Sequence, residues 1–212
     1  MKYAAAFAMI SALATCQCSP FRSHPVVVHE APRVTHVFHG DVEFTPAQRA
    51  IVAKAISALE YQTAGMYRLS VIYDLNYNDI NSLTALRDEA LIVYMQSDYQ
   101  VIQYLDNEKG AHILGLTLQN GMTGEGKNPQ VYLVVDRLED PARFQHVVMH
   151  ELLHAAGLDD LGPPGSVMSG ATCHYAGDLR LCENVVCMTP SDAAEFCRVN
   201  RCQVGELNGC AW

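Results

Sequence analysis

The chain has 212 residues and a formal net charge of −9, with half of its residues apolar and 17% charged. That is ordinary for one soluble globular domain with some residues left over for targeting. No basic stripe runs through it, which excludes nucleic acid as a natural partner. Past the N-terminus no apolar stretch is long enough to span a bilayer.

Lys2 is followed by an apolar run, Tyr3 to Leu13, of the length of a signal-peptide core. Residues 1–15 are therefore expected to be removed on export. Two exits stay open: an A-x-A site at Ala12–Ala14, or a lipobox-like Leu13-Ala14-Thr15-Cys16 that would place a lipid on Cys16. The expected location is extracytoplasmic, either secreted or lipid-anchored at a bacterial envelope. The membrane would be touched only through that lipid. Six of the eight cysteines (Cys173, Cys182, Cys187, Cys197, Cys202, Cys210) fall in the last 40 residues. None of those six makes a C-x-x-C pair, so disulfides are expected rather than structural zinc. Fifteen pairings remain open.

Residues 16–40 carry three prolines and four histidines without a helical period, and are expected to be a linker or extended arm. Residues 41–212 are expected to be the catalytic domain. Thr45-Pro46 caps a helix whose Ile51, Ala55, Ile56 and Leu59 share one face. Tyr67–Asp74 alternates as a strand, and Glu89–Met95 holds a compact apolar run typical of a buried one. Asp98–Asp106 is ambiguous and is assigned a short helix. Strands are expected at His112–Gln119 and Val131–Asp136, with a Gly- and Asn-rich loop, Asn120–Pro129, between them. Asp140-Pro141 starts a long helix that should stop at Gly157. Residues 158–189 are mostly loop, and Thr189-Pro190 starts a last helix. Mixed strands and helices in this order predict an α+β domain.

His150-Glu151-Leu152-Leu153-His154 lies on the predicted long helix. Residues four apart share a helical face, so both imidazoles can reach one metal. Glu151 is rotated about 100° around the helix, beside the metal rather than on it. Zinc suits imidazole donors and can keep a position open for water. Glu151 would be the general base for that water. An HExxH string arises by chance in roughly one in a few hundred chains of this length, so its surroundings matter. Gly157 permits a sharp turn out of the helix. Asp160, six residues after His154, is placed to return as a third ligand. Asp159 and, more weakly, His174 are rivals for that role.

His150–Asp160 (HELLHAAGLDD) resembles the metzincin signature, HExxHxxGxx followed by a ligand. Met168, eight residues after Asp160, resembles the methionine turn that lies beneath the metal in that clan. That gap, Leu158-Asp159, and Met188-Thr189-Pro190-Ser191-Asp192 are similar to matrixins. An aspartate as third ligand resembles the bacterial snapalysin group. The close resemblance covers residues 145–197. It implies a metzincin-like zincin domain: a twisted mixed sheet packed on helices, an active-site helix carrying HExxH, and a disulfide-rich C-terminal part. It further implies a zinc endopeptidase acting on protein or peptide, with one catalytic Zn2+ held by His150, His154 and Asp160, and Glu151 as base. The strand His112–Gln119 would be the edge on which substrate lies, and residues after Met168, including Gly170 and Ala171, would wall the adjacent pocket.

The chain departs from matrixins in three respects. Aspartate replaces histidine at 160, bringing negative charge that weakens the zinc as a Lewis acid. Cys16 and Cys18 lie outside any cysteine-switch motif. Calcium and second-zinc loops have no clear counterpart, so calcium remains open without residues to support it, and His112 is expected to be an ordinary strand-end histidine. A monomer is expected. The alternative is an exported zinc-binding module or inactive relative without hydrolysis, against which the retention of Glu151 argues.

Overall fold

The computed structural model describes residues 34–75, 89–109, 112–120, 128–160, 165–169 and 185–208. The expected signal peptide, Cys16, the first part of the proposed arm, most of the loop 120–129, Gly170, Ala171 and His174 lie outside those residues. Among the described residues the architecture is α+β, with a mixed five-stranded sheet and four helices. In chain order these are β1 (Val34–Asp41), α1 (Pro46–Gln62), β2 (Tyr67–Leu75), β3 (Ala90–Met95), α2 (Gln100–Lys109), β4 (Gly115–Leu118), β5 (Gln130–Val134), α3 (Pro141–Ala155) and α4 (Pro190–Asn200).

The strand order is β2-β1-β3-β5-β4. The first four strands run parallel, and β4 pairs antiparallel with β5 at the edge. Side chains alternate across the sheet as the pleat requires. Ile92, Val131 and Leu133 join Phe38 and the apolar faces of α1 and α3 in the larger core. Leu91, Val93, Met95, Tyr132 and Val134 point the other way, onto Ile102 of α2. The apolar run of β3 is thus buried on both faces, which is the usual state of a central parallel strand.

One expectation is corrected. Val34–Asp41, assigned mainly to the arm, is β1, and it lies between β2 and β3 in the sheet. Histidines at 36 and 39 hid its alternation. His36 is packed edge-on against the Tyr67 ring at 5.6 Å, Phe38 is fully buried, and His39 pairs with Asp74 at 2.9 Å. The strand expected at His112–Gln119 shortens to the four residues of β4.

Helix starts follow the sequence. Thr45 and Gln48 form a capping box at α1, and Thr189 and Asp192 form one at α4. The Asp140 side chain accepts from the Arg143 backbone at the start of α3. Buried Gln62 at the end of α1 holds the segment leading into α4, accepting from Met188 N at 2.7 Å and donating to the Val186 carbonyl at 2.8 Å. Cys197 and Cys202 form a disulfide at the end of α4. No helix among the described residues is long and apolar enough to cross a membrane.

Candidate metal centre

The site begins with how α3 ends. Ala156 caps the helix, and Gly157 takes φ +94°, a left-handed conformation open to glycine at little cost. Gly157 N donates to the His154 carbonyl and Leu158 N to the Leu153 carbonyl, at 2.8 and 3.1 Å. This is a Schellman turn. It sends the chain back along the helix, so that the Leu158 carbonyl reaches His154 Nδ1 at 2.7 Å. Two residues later the same return brings Asp160 to the imidazoles.

His150 is oriented from the opposite side. Its Nδ1 lies 2.7 Å from the Val167 carbonyl. Val167 and Met168 are both buried in the larger core. Their turn is closed by Ser166, whose hydroxyl accepts from Met168 N at 2.9 Å and donates to buried Asp192 at the start of α4.

Each histidine thus has its Nδ1 against a backbone carbonyl and turns its Nε2 inward. The two Nε2 atoms stand 3.0 Å apart, and Asp160 Oδ1 is 3.2 Å from both. Three such donors facing one point repel unless a positive charge joins them. Tetrahedral donors about 2.0–2.1 Å from zinc lie about 3.3 Å from one another, close to this triangle. His150, His154 and Asp160 therefore form a group that could hold a metal ion.

The electrostatics point the same way. Burial lowers the proton affinity of His154, but the hydrogen bond with Asp160 and the charges of Glu151 and Asp160 outweigh it, pushing the pKa up to about 9. Burial works against the charge on Asp160, yet the two imidazoles win and hold its carboxyl well below the usual carboxylate range. The cluster favours added positive charge, which either a proton or a metal supplies. The rival Asp159 is exposed and is not part of the triangle.

Glu151 is buried between α3 and β4. Thr117 Oγ1 lies 2.6 Å from its Oε2 and 2.9 Å from its backbone carbonyl. Gly115 faces it too: a Cβ there would come within 2.6 Å of Glu151 Oε1 and 2.8 Å of Cγ. Gln119 continues the ladder, its amide donating to the His154 carbonyl. Residues 115, 117 and 119 occupy one face of the strand, while Leu116 and Leu118 pack into the smaller core. The edge strand is thereby fastened to the helix that carries both imidazoles.

Sequence reasoning missed this ladder and also missed His146. The spacing His146, His150, His154 at intervals of four was a visible signal for the latter. His146 is buried, its Nδ1 is 2.7 Å from the Val185 carbonyl, and burial drops its pKa to about 4. It ties α3 to the segment before α4, and its ring centre is 6.1 Å from that of His150. Gly115 and Thr117 were visible only as two small residues at strand spacing.

No protein-family model, curated protein or solved structure matches the chain.

Proposed function

We propose that this protein is an exported zinc endopeptidase of the metzincin type, with His150, His154 and Asp160 as metal ligands and Glu151 as general base. The observation that carries the reading is the triangle of inward-facing donors, with the Glu151 carboxylate buried beside it on the same helix. The disulfide at Cys197–Cys202 suits a protein that works outside the cytoplasm.

When bound, zinc would act as a Lewis acid toward the scissile carbonyl and make a water acidic near neutral pH. The chain's own residues supply the rest. Glu151 takes a proton from the attacking water and passes it to the leaving amine. An extended peptide adds to the outer edge of β4, which no strand among the described residues pairs, by backbone hydrogen bonds in the manner of strand augmentation. The turn at Met168 keeps His150 fixed through the Val167 carbonyl. These are the roles that the metzincin resemblance assigns to Glu151, the edge strand and Met168.

The test is cleavage of an unfolded protein substrate by the full-length oxidised chain and by Glu151→Gln, each with and without a zinc chelator. A chain truncated at residue 40 is unsuitable, because it lacks β1. The expected result is cleavage that stops with chelator and falls by about 10²–10⁴ in Glu151→Gln, the usual contribution of a general base. Zinc content should be equal in the two proteins. Glu151→Gln cleaving as fast as the wild type would refute the assignment.

A further inference from the structure

We infer that Thr117 is a positioning residue for Glu151, setting the carboxylate of the general base from the strand on which substrate would lie. The inference rests on the peptidase reading above and goes beyond it by giving the edge strand a role in the chemistry as well as in binding. Among the described residues, the hydrogen bond to the Glu151 carboxylate comes from β4 and not from the metal triangle. The two flanks of Glu151 come from β4: Gly115 leaves the space that Oε1 and Cγ fill, and the Thr117 hydroxyl meets Oε2.

The hydrogen count makes this contact specific. Thr117 Oγ1 has one hydrogen and two acceptors, Glu151 Oε2 at 2.6 Å and the Glu151 carbonyl at 2.9 Å. The shorter of the two contacts, to Oε2, fixes the carboxylate group, and the longer one ties the hydroxyl to the backbone of α3. A side chain without a hydroxyl makes neither contact.

The placement also couples substrate to base. Thr117 is in register with Val131 of β5, and its hydroxyl reaches helix α3. Any shift of β4 on pairing with a peptide moves the group that holds Glu151.

The experiment compares wild type, Thr117→Val and Thr117→Ser as full-length oxidised proteins, measuring kcat and KM on an unfolded protein substrate. Zinc affinity and melting temperature are measured on the same samples. Valine keeps the shape and removes the hydroxyl, and is expected to lower kcat about 10–100-fold, the factor carried by a hydrogen bond to a charged group. KM and zinc affinity should stay within about twofold, and serine should restore most of kcat, since it returns the same donor. Valine turning over at the wild-type rate overturns the inference while leaving the peptidase reading intact. So does a valine variant whose lost rate is matched by lost zinc or a lost fold, with serine giving no rescue. A wild type that binds zinc and cleaves nothing overturns both.

Discussion

His150 and His154 present their Nε2 atoms to each other at 3.0 Å while each Nδ1 is engaged by a backbone carbonyl. Both carbonyls, of Val167 and Leu158, come from segments that follow the helix in sequence. The two rings are therefore oriented from outside α3, and the triangle they form with Asp160 depends on the returning chain as much as on the HExxH string. Outer partners of this kind hold the tautomer and the ring plane of a metal-binding histidine.

Asp160 tests the triangle directly. Asp160→Ala should lower zinc affinity by at least about 100-fold, more than the 10–100-fold typical of losing an outer-shell partner, and most cleavage should go with it. Asp160→His should keep zinc and part of the activity, because imidazole is an equally suitable donor on a longer side chain. Equilibrium dialysis against zinc, run beside the cleavage assay, reads both. An alanine variant with wild-type zinc affinity would transfer the ligand role to another residue.

Gly157 links the helix stop to the triangle of His150, His154 and Asp160. Alanine at φ +94° costs about 1–2 kcal/mol for adopting a left-handed conformation. If the chain relieves that strain by moving, the Leu158 carbonyl leaves His154 and Asp160 leaves the triangle. Gly157→Ala should therefore lower both the melting temperature and zinc affinity. A surface substitution of equal stability cost, far from the site, should lower only the first. Calorimetry and zinc titration on the two variants separate the effects.

Gly115 tests the space that Glu151 occupies. An added methyl would lie 2.6 Å from Glu151 Oε1 and 2.9 Å from Val147 Cγ1. The flexible end of Glu151 can give way where the packed Val147 resists. Gly115→Ala should thus retain zinc while losing about 10-fold or more in kcat through a displaced base, since small misplacements are costly in catalysis. Unchanged kcat would mean that Glu151 works from another rotamer.

Much of this was legible beforehand because local chemistry and tertiary structure agree. Pro141, Asp140 and Gly157 delimit α3 by capping rules alone, and the four-residue spacing of His150 and His154 then leaves little choice of face. Thr189-Pro190 marked the last helix for the same reason. β1 was hidden because His36 and His39, on opposite faces of the strand, take their partners Tyr67 and Asp74 from elsewhere in the chain. The ladder from β4 to α3 was hidden because a glycine and a threonine two residues apart say nothing until the sheet order places them under Glu151. The partner of Gln62 is 126 residues away in sequence, beyond any periodicity.

A last prediction concerns the entry to β4. The Arg137 guanidinium makes two hydrogen bonds to Asp106, at 3.0 and 2.6 Å, and a third to the Ile113 carbonyl. Asp106 also accepts from Ile113 N at 2.9 Å. Together they clamp the end of α2 to the residues that lead into the edge strand. The hydrogen bonds from Arg137 outweigh burial and hold the Asp106 carboxyl below its ordinary range. A carboxyl depressed in the folded state adds stability above its unfolded pKa and loses it as pH falls through the lower folded value. Asp106→Asn should therefore melt below the wild type at pH 7, with the gap closing as pH drops from about 5 toward 2. Both chains carry the same His150, His154 and Asp160, so the titration of those groups cancels in the difference. Melting curves of the two proteins across that range provide the measurement. A gap that does not change with pH would show that the ion pair contributes nothing beyond its neutral hydrogen bonds.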